Sequence, residues 1–140
     1  MPTAKKKVLF LCTHNSSRSQ MADGSLRALC GDKYESFSAG TVATRVNPYV
    51  GKAMVEVGID LSSHRSKSVD EVAGEQFDYV VTVCDNAREA CPIFPGAKKM
   101  VHHSFSDPSR LEIMAGVRTV RDEIEEWLMR TFGDTGGAKS

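Results

Sequence analysis

Cys12 and Arg18 are separated by Thr13, His14, Asn15, Ser16 and Ser17, all small or polar except His14. The apolar run Val8-Leu9-Phe10-Leu11 leads into this segment, and a helical pattern begins near Arg18. A loop leaving a strand and opening a helix aims several backbone N–H groups into one concave space, with the positive end of the helix dipole behind them. The segment is therefore expected to hold a tetrahedral oxyanion (phosphate, arsenate or sulfate) through Thr13, His14, Asn15, Ser16, Ser17, Arg18 and Ser19. Cys12 at its lip is the expected nucleophile, its thiol pKa lowered by the same N–H groups. Arg18 offers a planar fork to two oxygens of the anion. Ser19 has two readings: its hydroxyl donates to the Cys12 thiolate, or it is simply a residue at a helix start.

An oxygen that must leave the attacked centre needs a general acid. Asp107 follows the fourth expected strand, on the edge of the sheet that carries Cys12, although Asp107-Pro108 taken alone reads as a turn. Cys84 lies just past the third expected strand on that same edge, and Cys91 follows across a polar segment. Three readings are open for this pair. They are zinc binding with His102 and His103 at an unusual spacing, two unrelated buried cysteines, or a redox relay. The polar neighbours Asp85, Asn86, Arg88 and Glu89 disfavour plain burial. In the relay, Cys84 attacks a sulfur at Cys12 and Cys91 resolves Cys84. Cys30, near the end of the first helix, is a bystander.

The elements that must position these groups follow in order. A buried strand at Val8–Leu11 precedes a helix from Arg18 to about Cys30, with Met21, Leu26 and Leu29 on its apolar side. A second strand spans Tyr34–Ala39. Asn47-Pro48 opens a helix bearing Val50, Ala53, Met54 and Val57, stopped at Gly58. A short helical turn at Ser66–Val72, strands at Phe77–Val83 and Lys98–His102, and an amphipathic helix carrying Ile113, Val117, Val120, Ile124 and Leu128 complete the series. Alternating strands and helices predict a single-domain α/β fold, a three-layer sandwich around a four-stranded parallel sheet. Ligands in such sheets bind beyond the carboxyl ends of the strands, where Cys12 falls.

The chain has 140 residues, room for one core, with residues 1–5 and 133–140 expected to fray. Eighteen basic residues balance eighteen acidic ones, which gives no global pull toward nucleic acid or an anionic membrane. No apolar stretch approaches the roughly 20 residues of a membrane span, and no signal-peptide core precedes Lys5-Lys6-Lys7. The expected compartment is the cytoplasm, where cysteines are more often catalytic, redox-active or metal-binding than bridged. With no apolar surface stripe evident, a monomer is the expectation.

Taken together the chain resembles the thioredoxin-coupled arsenate reductases, which share the fold of low-molecular-weight protein tyrosine phosphatases. The resemblance covers nearly the whole length. It rests on Val8 to Ala22, Ser38-Ala39-Gly40, Asn47-Pro48, Gly58 to Ser62, Val80 to Cys84, Cys91-Pro92, Asp107-Pro108 and Val120 to Ile124. It implies that the loop binds arsenate, that Cys12 attacks arsenic and that Asp107 protonates the departing oxygen. Cys84 then attacks Cys12 and expels arsenite, and Cys91 takes over the disulfide for reduction by thioredoxin. No bound cofactor or catalytic metal is implied.

Two loop positions depart from the family: His14 replaces a common glycine and Ser17 a common cysteine. Some members hold a potassium ion at positions that correspond here to Asn15, Asp23, Ser38 and Lys67. The lysine would repel the ion and take its space, so no potassium dependence is expected. The rivals are a low-molecular-weight phosphatase, which usually has an aromatic residue where Ser109 stands, and a non-catalytic anion or redox sensor, which needs no leaving-group acid.

Overall fold

The structure is a computed structural model that describes residues 5–13, 15, 17–42, 45–84, 94–105 and 114–132. His14, Ser16, Cys91, Asp107 and Ile113 lie outside the described residues, as do the ends expected to fray apart from Lys5.

Four strands, β1 (Lys6–Cys12), β2 (Tyr34–Gly40), β3 (Phe77–Thr82) and β4 (Ala97–His102), form one parallel sheet in the order β2-β1-β3-β4. Val8, Leu9, Phe10 and Leu11 have no exposed surface. Alternate residues of a strand face opposite sides, so total burial of this run means that the sheet is covered on both faces at its centre. β1 lies between β2 and β3, and the chain leaves it first toward one neighbour and later returns to the other. That reversal opens a crevice at the carboxyl end of β1, beside Cys12.

Among the described residues, three helices follow the expected pattern: α1 (Arg18–Cys30), α2 (Pro48–Val55) and α3 (Met114–Phe132). A single 3-10 turn occupies Val69–Val72. α1 and α3 pack together on the sheet, and α3 turns inward Val117, Val120, Ile124, Trp127 and Leu128. Asn47 caps α2, its Oδ1 accepting from the Tyr49 N–H at 2.9 Å, with Pro48 in the first helical position. Gly58, at φ +82°, stops the helix with paired bonds from the Gly58 N–H to Val55 O and from the Ile59 N–H to Met54 O, each 2.9 Å.

Two apolar assignments made from periodicity are corrected. Leu29 is 46% exposed and Val57 40% exposed. Each falls in the last turn or just past the end of its helix, where the chain has begun to leave the core. Met21 and Leu26 are fully buried as expected, and α1 also buries the polar residues Ser19, Gln20, Asp23 and Ser25. Gly24 on that side allows a close approach, since a Cβ there would stand 2.7 Å from Leu61 Cδ2.

Candidate active site

β1 ends at Cys12, and α1 begins at Arg18 with Ser17 as its N-cap residue. The Ser17 hydroxyl caps nothing, is buried, and has no hydrogen-bond partner among the described residues. No acidic residue sits in the first turn of α1. A buried helix start without a side-chain cap has the arrangement that receives an anion.

The loop between is held from behind. Asn15 has φ +52°, a left-handed conformation that asparagine tolerates better than most residues, and is wholly buried. Its Oδ1 accepts from the Lys67 backbone N–H at 2.8 Å, which fixes the orientation of the amide because that N–H can only donate. The Asn15 Nδ2 consequently donates to Ser19 Oγ at 2.8 Å. Ser19 is fully buried and already accepts this bond, so its own proton is left to be given elsewhere. No printed bond joins Ser19 to Cys12, and both readings of Ser19 stay open.

Gln20 closes the network. Its Nε2 donates toward Asn15 O, Asn15 Oδ1 and Arg65 O at 3.1, 3.0 and 3.0 Å. Its Oε1 therefore faces His64 Nδ1 at 2.9 Å, and that nitrogen carries the hydrogen. Gln20 and His64 were not found by sequence reasoning. The available signal was the polar first turn of α1, Arg18-Ser19-Gln20, directly after the loop.

Arg18 donates from Nη1 to Phe105 O at 3.0 Å. Phe105 N–H in turn bonds Val83 O at 3.1 Å, which draws the segment after β4 over the end of β3. Cys84, immediately after, is buried, with its Sγ 3.4 Å from Thr13 Oγ1. Cys84 Sγ thus stands beside the residue that follows Cys12, and Cys12, Cys30 and Cys84 are all reduced thiols.

This contact corrects one expectation. The pKa of the Cys12 thiol is raised, first by the hydrogen bond with Cys84 and then by burial, while the charge of Arg18 and the Thr13 N–H pull it down. Two adjacent thiols titrate as a unit. A bond that raises the Cys12 pKa favours its protonated form, so the Cys12 thiol, not its thiolate, is favoured beside Cys84.

The four positions implied for a cation are partly assembled. Asn15 meets the Lys67 backbone directly, and Asp23 attracts the half-buried Lys67 ammonium against the cost of its burial. Ser38 Oγ is buried without a hydrogen-bond partner among the described residues. Asp23 is further engaged by Ser36 Oγ at 2.6 Å and Arg27 Nη2 at 3.1 Å. A cavity of about 320 Å³ opens beside it, lined in part by Arg27, Tyr34, Ser36 and Lys67. A larger groove of about 460 Å³, between α2 and Asp60–Ser62, is lined by Val46, Pro48 and Val55 and includes no loop residue.

His102 Nδ1 is 2.7 Å from Thr82 Oγ1, and the His103 ring stacks on Trp127 with centroids 4.9 Å apart. Among the described residues no group of three His, Cys, Asp or Glu could hold a metal. No described helix is long and apolar enough to cross a membrane.

Residues 7–133 match the family model for low molecular weight phosphotyrosine protein phosphatase. An arsenate reductase of Halalkalibacterium halodurans is 44% identical over 137 residues, covering 94% of this chain and 98% of that relative. A solved arsenate reductase in its phosphate-binding state superposes with a TM-score of 0.81 at 31% identity, over 90% of this chain and 95% of the other. A thioredoxin-dependent arsenate reductase of Corynebacterium glutamicum gives 0.66 at 28% identity, over 91% of this chain and 62% of the other. An anion loop built on β1 and α1, a second thiol against the first, and relatives matched almost end to end agree: the chain belongs to the low molecular weight phosphotyrosine protein phosphatase family, in the branch whose members are named arsenate reductases.

Proposed function

We propose that the protein reduces arsenate to arsenite by a three-thiol relay that thioredoxin recharges. The observation that carries this reading is the Cys84 thiol lying against Cys12 at the mouth of an anion loop. Arsenate enters the loop, where Arg18 and the first N–H groups of α1 take its negative charge. Ser19, held by Asn15, gives its proton to the Cys12 thiolate. Cys12 attacks arsenic, an oxygen leaves as water with a proton from Asp107, and a sulfur–arsenic bond forms.

Cys84 then attacks the Cys12 sulfur. The sulfur–arsenic bond breaks, its electron pair stays on arsenic, and arsenite departs as a Cys12–Cys84 disulfide forms. Cys91 attacks Cys84, freeing Cys12, and the Cys84–Cys91 disulfide passes to the dithiol of thioredoxin. A thioredoxin-dependent structural relative supports that choice of reductant. Nothing in this sequence of steps calls for a bound cofactor. Thiols that must return to the reduced state suit the cytoplasm. Lys67 supplies the cation behind Asn15, so turnover in potassium equals turnover in sodium; a clear stimulation by potassium would contradict this role.

Phosphoester hydrolysis by the same loop would use Cys12 and Arg18 but leave Cys84 idle. The deciding assay is arsenate-dependent NADPH oxidation with thioredoxin and thioredoxin reductase, comparing wild type with Cys84→Ser and Cys91→Ser. The relay predicts activity in the wild type and its loss in both variants. Absence of arsenate turnover, with aryl phosphate hydrolysis surviving both substitutions, would make the protein a phosphatase.

A further inference from the structure

We propose that Trp127, on α3, is a positioning residue for Arg18: it anchors segment 103–105, whose Phe105 carbonyl holds the guanidinium in the plane that receives the anion. The inference deepens the reading above and rests on one part of it, the anion loop. Arg18 is the first residue of α1, where the positive end of the helix dipole repels a cation. Something outside α1 must therefore hold it over the loop. That holder is Phe105 O, which accepts from Arg18 Nη1 at 3.0 Å. A planar guanidinium with one nitrogen fixed has its plane set. The edge turned away from the carbonyl is then left for two oxygens of a bound anion.

A backbone carbonyl is only as well placed as the chain that carries it. Two bonds to the end of β3 and the residue after it hold one side of the segment: His103 N–H to Thr82 O at 3.0 Å and Phe105 N–H to Val83 O at 3.1 Å. Trp127 holds it through side chains. Its ring stacks on His103 with centroids 4.9 Å apart and planes 30° apart, and meets the Phe105 ring edge-on at 6.0 Å. The His103 and Phe105 rings also contact each other at 4.7 Å. One side chain of α3 thus grips both neighbours of Ser104, which is itself exposed. Phe105 and Trp127 are buried, and Phe132 packs edge-on against Trp127 at 6.0 Å. Aromatic pairs of this kind add directional preference to the area they bury. The path to the anion runs from Trp127 through Phe105 to Arg18.

The test is binding of inorganic phosphate to the reduced protein, measured by calorimetry. Binding needs neither Cys84 nor Asp107, the expected acid two residues past Phe105, so it isolates Arg18. Trp127→Leu keeps apolar bulk without a ring face and should raise the phosphate dissociation constant about tenfold, the scale of a lost aromatic pair. Trp127→Phe restores a ring and should return the constant to within about twofold of wild type. His103→Ala, at a partly exposed position, removes the stacked ring and should weaken binding in the same direction. Circular dichroism establishes that each variant is folded. A double-mutant cycle with Arg18→Lys separates positioning from general damage. A lysine has one nitrogen and cannot serve the carbonyl and the anion as a planar fork does. In that background Trp127→Leu should therefore change phosphate binding by less than about twofold. An equal loss in both backgrounds, or wild-type affinity in folded Trp127→Leu or His103→Ala, would overturn the proposal. Phosphate is bound without being reduced, so the proposal can fail while the relay stands, and the relay can fail while this result holds.

Discussion

At the amino ends of the strands, charge sits in water and is matched pair by pair. Lys7 reaches Glu75 at 3.0 Å and lies over the rings of Phe37 and Phe77, and Lys98 reaches Asp78 at 3.3 Å. At the carboxyl ends, the polar groups are buried and incompletely satisfied. Asn15, Ser19 and Gln20 have no exposed surface, Ser17 and Ser38 keep buried hydroxyls without hydrogen-bond partners among the described residues, and Cys12 and Cys84 are both buried. Exposed pairs contribute little to stability and do no chemistry. Buried polar groups that lack partners persist where a ligand is to complete them. The same sheet thus carries ordinary surface at one end and a prepared site at the other.

That contrast breaks most sharply at Arg18. Arg18→Ala should lower kcat/KM for arsenate by about 10²- to 10³-fold, the usual loss when one donor to a developing anion is removed, with the melting temperature little changed. Next comes the network behind the loop. Asn15→Ala strands the Lys67 N–H, Ser19 and Gln20 and puts a Cβ-bearing residue without a compensating amide at φ +52°. It should cost about 3 kcal/mol in denaturant unfolding and weaken anion binding together with stability.

A smaller effect is expected from pH. Burial lowers the pKa of His64 from its ordinary 6.5, opposed by the charge of Asp23. The unfolded chain therefore takes up this proton first, and stability falls as pH drops through 6.5. His64→Gln, which keeps a donor to Gln20, should flatten that part of a plot of melting temperature against pH; an unchanged slope would remove His64 from the network. Smallest of all, Lys98→Ala should shift stability by less than about 1 kcal/mol and leave turnover untouched. A large loss of activity there would erase the distinction between the two ends.

How much of this was legible in the sequence depended on how local each feature is. The anion loop is one uninterrupted peptide after an apolar run, so Cys12, Arg18 and the start of α1 could be read directly. Every strand was found, β1 and β3 as short apolar runs and β2 and β4 from the turn residues that bound them. Strand order could not be read, since nothing local says that β1 lies between β2 and β3. On α1, Met21 and Leu26 were read correctly as buried, but periodicity assumes that buried means apolar and so gave no sign of Gln20 and Asp23, which are buried to serve Asn15, Ser36 and His64. Those partners arrive from distant parts of the chain, as does Lys67, and only the family resemblance singled out Lys67. The raised Cys12 pKa was missed for the same reason: dipole and arginine are local, and Cys84 is brought in by β3.

The most direct test of the central claim is a single turnover of Cys91→Ser with one equivalent of arsenate and no external thiol, followed by acid quench and peptide mapping. If Cys84 attacks the Cys12–arsenic adduct, the relay stops one step early, with a Cys12–Cys84 disulfide and one arsenite released per protein. Arsenite released without that disulfide, or no arsenite from a folded protein that still binds arsenate, would contradict it.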